Sequence, residues 1–155
     1  MLRVVESFSG IGSQVKALKN IGIEHEIVAT MDWDINAIIA YDIIHHGKPE
    51  LKEYSMYTKG QLINELSNYT LSKDGKTPIT EQSLKRMSKI ELEHLLAAIH
   101  RSKNLTSITE VKGGDLPDNI DLFTYSFPCQ DLSIAGAWHG NNSGIDRNVN
   151  NRSGM

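Results

Sequence analysis

The stretch Leu2–Ser13, LRVVESFSGIGS, decides the fold, because an apolar strand runs directly into a turn with two glycines. Without β-carbons, Gly10 and Gly12 let the backbone bend tightly and let a ligand approach the main chain. We expect the helix that follows to direct its unpaired amides and partial positive charge at the same place. Such a turn can also be a tight connection without a ligand, or can serve a nicotinamide or flavin nucleotide. It predicts a candidate cofactor site at the end of the first strand.

Outward from this turn, strands and helices alternate. Residues Glu26 to Met31 predict a second strand, and Asp34 can cap a helix that ends at Gly47. One face of that helix carries Ile35, Ile38, Ile39 and Ile43. A later strand, Ile120 to Phe127, contains the apolar run 122–125 that is typical of a strand covered on both faces. This order predicts an α/β fold with a parallel sheet.

Residues 48–112 interrupt the alternation. Connections in such folds usually have about 2–6 residues, so this segment must carry its own structure. A first helix is predicted by Leu62, Leu66 and Tyr69, and residues 71–80 read as a loop. A capping box at Ser88–Glu91 begins a second helix, whose apolar positions are Leu92, Leu95, Leu96 and Ile99. The chain therefore divides into a cofactor-binding half at 1–47, a helical insertion at 48–112 and a final part at 113–155.

Length and composition exclude several classes of protein. The 155 residues suit one domain, and no apolar stretch approaches the ~20 residues that span a bilayer. One cysteine cannot form an internal disulfide, and there is no signal-peptide pattern, so we expect a reducing cytoplasm. A net charge of −3 argues against a chain that binds DNA tightly on its own, since such a chain usually has a basic surface.

Two further acidic motifs fit a nucleotide. Asp32 stands at the tip of the second strand, where nucleotide-binding sheets hold a ribose hydroxyl pair, and Trp33 offers a flat face for a purine. Asp115, in Gly-Asp-Leu, could accept from an exocyclic amine. The alternatives are that Trp33 belongs to the core and that Asp115 only caps a turn. Asp34 beside them is expected to cap its helix in either case.

The single thiol, Cys129, lies in Phe-Pro-Cys-Gln directly after the later strand, and a loop of small polar residues follows it. A free cysteine is most often a small buried hydrophobic residue. It could also act as the nucleophile of a hydrolase with His139, although the ten-residue spacing has no special geometry. A nucleophile that faces the glycine turn is the third interpretation.

Four motifs in this order, Phe-x-Gly-x-Gly, acid-Trp-Asp, Gly-Asp-Leu and Pro-Cys-Gln, resemble the amino-terminal part of the catalytic domain of the DNA (cytosine-5) methyltransferase family. The resemblance covers 2–47 and 113–155. It implies a Rossmann-like S-adenosylmethionine-dependent methyltransferase fold with a truncated parallel sheet and a helical insertion. The implied cofactor-binding residues are Phe8, Gly10, Ile11, Gly12, Asp32, Trp33, Asp115, Leu116 and Pro128. One departure is Asp32, where the family more often has a glutamate.

The same resemblance implies the chemistry. Cys129 would add to carbon 6 of a cytosine flipped out of the duplex, so that carbon 5 can accept a methyl group. Gln130, Ser133 and Arg152 would contact the DNA. No metal is implied.

The family's later motifs supply a glutamate, an arginine and a target-recognition region, and none of these can be located before Met155. We therefore expect most contacts with double-stranded DNA to lie outside this chain, and the chain alone to methylate DNA barely or not at all. An exposed edge of the sheet is expected to allow self-association. The competing interpretation is a non-catalytic S-adenosylmethionine-binding or interaction module, or one half of a split methyltransferase, in a prokaryotic or phage-type cytoplasm.

Overall fold

A computed structural model describes residues 1–126 of the chain, and Met1–Tyr125 form one compact unit. Its sheet has three strands, β1 (Leu2–Ser7), β2 (His25–Met31) and β3 (Leu122–Tyr125). All three are parallel in the order β2-β1-β3, and the register between β1 and β2 shifts between Val4 and Val5. The predicted α/β fold with a parallel sheet is confirmed for these residues. The carboxyl ends of β1 and β2 meet at one edge of the sheet.

Within residues 1–126, five α-helices accompany the sheet: α1 (Ser13–Asn20), α2 (Ile35–His46), α3 (Lys59–Leu66), α4 (Glu81–Arg86) and α5 (Lys89–Arg101). Short 3₁₀ turns lie at Tyr54–Met56 and Gly113–Asp115. None of the helices within residues 1–126 has the length and apolar character needed to cross a bilayer.

The predicted helix starts are confirmed by their caps. The Asp34 carboxylate accepts from the amides of Asn36 and Ala37, at 2.8 and 3.2 Å. Ser88 and Glu91 form the reciprocal capping box that begins α5. Helix α4 was not predicted, because this six-residue helix buries a single apolar side chain, Leu84.

Two apolar clusters stabilise the described part of the chain. The first joins α2, through Ile35 and Ile38, to the helices of the insertion. The second lies on the sheet, where Val5, Val28, Ala29 and Met31 are covered by residues of the 105–120 segment. The insertion therefore does not form a core of its own, since it shares one with α2.

The buried side of α2 differs from the face that carries its isoleucines. Ile43 is 47% exposed, and Tyr41 and Asp42 are buried on α2 instead, because α2 faces both the sheet and the insertion. On β3, Phe123 is 44% and Tyr125 67% exposed, so residues 1–126 leave part of this strand uncovered, although the run 122–125 is of the apolar kind typical of a strand covered on both faces.

Candidate functional site

The glycine turn folds over the carboxyl ends of β1 and β2. Its backbone has positive φ at Phe8 (50°), Gly10 (51°) and Gly12 (79°). The Gly12 amide donates to the Ser9 carbonyl at 2.7 Å, and the Ser9 amide donates to the Met31 carbonyl at 3.0 Å. The turn is thus closed on itself and fastened to the end of β2.

Asp32 joins the turn to the second strand. Its Oδ2 accepts from the Gly10 amide at 2.8 Å, and its Oδ1 accepts from the Asp34 amide at 2.9 Å. Burial raises the pKa of this carboxyl, and the two amides only partly offset the effect. Each carboxylate oxygen has a second lone pair, so Asp32 can still accept two hydroxyl donors.

Behind the turn, Glu6 on β1 is fully buried and faces the start of α1. Its Oε1 accepts from the Val15 amide at 3.4 Å, and its Oε2 accepts from the Tyr41 hydroxyl at 3.0 Å. Burial raises the pKa of Glu6 above its usual range. The expectation that the first-turn amides of α1 point at a ligand was wrong at Val15, because a carboxylate from inside the protein occupies that donor.

His45 on α2 supports the turn from another side. Its Nε2 lies 3.0 Å from the Ile11 carbonyl oxygen, which can only accept, so Nε2 carries the hydrogen. Nδ1 is then free to accept from the Lys19 ammonium at 3.5 Å. Burial lowers the pKa of His45, the Ile11 carbonyl partly opposes this, and the charges of Lys19 and Lys16 lower the pKa further, so the neutral ring is favoured.

Trp33 follows Asp32 at the tip of β2 and is half-buried. Its carbonyl accepts from the amide of Ser72, at 2.7 Å. The main chain of Trp33 is therefore held by the helical insertion, while part of its surface stays open.

Asp115 and Leu116 line an open cavity of about 500 Å³, together with Val28 and Asn104. The Asp115 Oδ2 accepts from the Lys112 amide at 2.7 Å, so this side chain caps a turn, whether or not it also binds a ligand. Its Oδ1 is left to accept from another donor. Asn104 Oδ1 in turn accepts from the Asp32 amide at 3.4 Å, which links this cavity to the glycine turn.

The remaining predicted site residues, Pro128, Cys129, Gln130, Ser133 and Arg152, lie outside the described residues, as does His139. Their roles stay predictions.

Sequence reasoning missed several supporting residues: Glu6, Tyr41, His45, Ser72 and Asn104. One signal was available, since an acidic residue inside the apolar run of β1 requires a buried partner. The other four residues gave no such signal, because their hydrogen-bond partners lie far away in the sequence.

Comparisons with known proteins match this chain to methyltransferases. A family model described as "C-5 cytosine-specific DNA methylase" matches residues 77–149. The chain is 39% identical over 159 residues to the orphan methyltransferase M.SssI of Spiroplasma monobiae, covering 99% of this chain and 40% of that protein. It is 36% identical over 141 residues to the type II methyltransferase M2.ScrFI of Lactococcus lactis subsp. cremoris, covering 90% of this chain and 38% of that protein.

A shorter match, 46% identical over 50 residues, is to the orphan methyltransferase M.Rho11sI of Bacillus phage rho11s and covers 32% of this chain and 10% of that protein. The chain thus spans about two fifths of the length of the first two relatives.

Proposed function

We propose a function from one premise: this chain belongs to the C-5 cytosine-specific DNA methylase family, whose fold is Rossmann-like. The motif resemblance found in the sequence is thereby confirmed. The chain is the amino-terminal part of a DNA (cytosine-5) methyltransferase catalytic domain, carrying the cofactor-binding half and the nucleophile. The observation that supports this best is the bond between the Gly10 amide and the Asp32 carboxylate, which joins the two cofactor motifs in one site.

The residues at this edge fit S-adenosylmethionine, which supplies an activated methyl group when bound. Asp32 keeps two acceptor positions for the ribose hydroxyls while it holds Gly10 and Asp34 in place. The partly open surface of Trp33 suits an adenine ring, and the second oxygen of Asp115 suits its amine. Phe8, Ile11, Leu116 and Pro128 complete the proposed set.

Cys129 is proposed to be the nucleophile of the covalent step. The thiolate sulfur forms a bond to carbon 6 of cytosine, and the ring electrons shift to make carbon 5 nucleophilic. Once carbon 5 carries the methyl group, a base removes its proton and the sulfur–carbon 6 bond breaks, which regenerates the thiolate. Pro128 shapes the base pocket, and Gln130, Ser133 and Arg152 contact the DNA.

Double-stranded DNA is the proposed substrate, with most of its contacts supplied outside this chain, because the net charge here is −3. The division into 1–47, 48–112 and 113–155 is retained as a proposal. Self-association through the exposed edge of the sheet likewise stays a proposal. Bacterial and phage relatives support a prokaryotic or phage-type cytoplasm.

Two measurements test the proposal. Calorimetry with S-adenosylhomocysteine is expected to give one site per chain, lost in Asp32→Ala; a folded chain that gives no heat of binding would refute the cofactor assignment. Because most DNA contacts are expected outside this chain, a duplex that carries 5-fluorocytosine is supplied in large excess with S-adenosylmethionine. A covalent adduct in low yield is expected, and Cys129→Ser should abolish it. Cofactor binding without any adduct would favour the non-catalytic module.

A further inference from the structure

We infer that the helical insertion is a positioning element for the cofactor site, acting through Asn104 and Ser72. The inference rests on the proposed function, because it gives a role to the insertion within the site built from the glycine turn and Asp32. Its basis is that the insertion contacts the main chain of the residues at the tip of β2 from two sides.

Ser72 makes the first contact. It is fully buried, its amide donates to the Trp33 carbonyl at 2.7 Å, and its carbonyl accepts from the Ile35 amide at 2.9 Å. These two bonds lie on either side of Asp34, the residue after Trp33. They pair Asp34 with Ser72 as an isolated parallel β-bridge. The main-chain direction at Trp33 is therefore set by a residue of the insertion.

The loop that carries Ser72 is closed by its own hydrogen bonds. The Ser72 hydroxyl lies 2.7 Å from the Thr77 carbonyl and 2.9 Å from Asp74 Oδ1. The Asp74 carboxylate also accepts from the amides of Lys76 and Thr77 at 2.8 and 2.9 Å, which holds the pKa of Asp74 well below its usual range. A loop closed in this way can hold Ser72 at one position against β2.

Asn104 makes the second contact. It is 5% exposed, and its Oδ1 accepts from the Thr106 amide at 2.6 Å and from the Asp32 amide at 3.4 Å. The neighbouring main chain pairs with the outer edge of β2, since the Leu105 amide donates to the Thr30 carbonyl at 2.9 Å. Lys103 and Thr106 both have positive φ, at 49° and 59°. Such a backbone persists only where surrounding contacts over-determine it.

A continuous set of hydrogen bonds connects Asn104 to the glycine turn. The Asn104 amide oxygen holds the Asp32 main chain, and the Asp32 carboxylate holds the Gly10 amide. A change in the insertion can therefore alter the turn without contact between the two. Asn104 and Ser72 are positioning residues, because the contacts described here act on the main chain at the tip of β2 and reach the glycine turn only through Asp32.

The first test needs no ligand. In Asn104→Ala we expect the Gly10 amide to exchange its hydrogen about tenfold faster by NMR, since the Asp32 carboxylate loses its fixed position. Asn104→Asp keeps an acceptor oxygen in the place of Oδ1 for the Thr106 and Asp32 amides, so exchange at Gly10 should stay slow. Ile63→Val is a control, because it trims the insertion core at a 9% exposed residue without touching either contact. Equal Gly10 exchange in Asn104→Ala and the unaltered chain would overturn the inference.

A second variant guards against a folding defect. Asn104→Ser keeps an oxygen for the Thr106 amide but is too short to reach Asp32, so it should reproduce the faster exchange at Gly10. If it leaves Gly10 exchange unchanged while folding normally, the inference is wrong.

The second test measures affinity for S-adenosylhomocysteine. Asn104→Ala is expected to weaken binding about tenfold, with Asn104→Asp and Ile63→Val close to the unaltered chain. No binding by the unaltered chain would refute the proposed cofactor, and the exchange experiment would still decide the role of Asn104. Normal binding by every variant would refute the positioning role and leave the cofactor assignment standing.

Discussion

At the scale of single residues, Gly12 shows why the turn needs glycine. Its φ of 79° is unfavourable for any residue with a β-carbon, and a β-carbon built there would overlap the His45 imidazole and come within 2.8 Å of the Tyr41 ring. Because His45 also donates to the Ile11 carbonyl, it has little room to move away. We expect Gly12→Ala to lower the free energy of unfolding by about 3 kcal/mol, measured by urea denaturation.

The matched control is Gly22→Ala. Gly22 has a similar φ of 73°, but no atom lies within 4 Å of its would-be β-carbon. Gly22→Ala should lower the free energy of unfolding by about 1 kcal/mol, because it adds backbone strain and no steric overlap. Equal losses in the two variants would contradict the steric role assigned to His45.

Glu6 predicts a pH dependence whose sign follows from burial. Its pKa is raised above 4.5 in the folded protein, so the folded state holds the proton more tightly than the unfolded state does. This carboxyl therefore stabilises the fold below pH 4.5, and the contribution is lost as the pH rises through its raised pKa. Glu6→Gln stays neutral and can still accept from Val15 and donate to the Tyr41 oxygen.

We expect the stability of Glu6→Gln, relative to the unaltered chain, to increase as the pH rises from about 4.5 to 7. Urea denaturation at a series of pH values measures this difference. A difference that stays constant over that range would show that Glu6 does not change its protonation there.

At the scale of elements, the sequence predicts best where a signal is local. Asp34 and Ser88 mark the starts of their helices in the sequence, because a capping side chain accepts hydrogen bonds from amides two or three residues away. The burial of Tyr41 in place of Ile43 was not predictable in this way, since it depends on which neighbours pack against α2. Asn104 was equally hidden, because its partner Asp32 is 72 residues away.

Arg101, the last residue of α5, ties that helix to the end of α2. Its guanidinium lies 3.2 Å from Asp42 Oδ2, and it donates to the His46 and Gly47 carbonyls at 2.6 and 3.1 Å. The Asp42 side chain is 1% exposed, and burial raises its pKa despite the neighbouring Arg101. Without Arg101, a buried carboxylate and two helix carbonyls would lose their donor.

We therefore expect Arg101→Ala to cost about 3 kcal/mol in urea denaturation. Combining it with Asp42→Asn should recover part of the loss, because no unpaired charge then remains inside. Lys85→Ala is the control: it removes an ion pair whose two side chains are each 61% exposed, and it should change stability by less than about 0.5 kcal/mol. If Arg101→Ala also changed the free energy of unfolding by less than about 0.5 kcal/mol, the role assigned to Arg101 would be contradicted.

At the scale of the whole molecule, the sequence indicated the parts of the chain but not how they combine. Alternating strands and helices predicted the parallel sheet, and the break at 48–112 predicted a separate helical segment. Nothing local indicated that α2 is shared, with Ile35 and Ile38 in the core of the insertion and Tyr41 bonded to Glu6 on β1. That arrangement joins the insertion and the sheet within residues 1–125.

The shared helix predicts that the insertion and the sheet unfold together. Leu92 is fully buried in the insertion core, so Leu92→Ala should cost about 2–5 kcal/mol. If α2 couples the two cores, amides of β1 and β2, such as Val5 and Ala29, should lose as much hydrogen-exchange protection as those of α5. Ile90→Ala, at a 56% exposed position on the same helix, should leave both sets unchanged. Full protection of Val5 and Ala29 in Leu92→Ala, with α5 exchanging faster, would instead mean that the sheet stays folded when the insertion opens, and α2 would then contribute to each core separately.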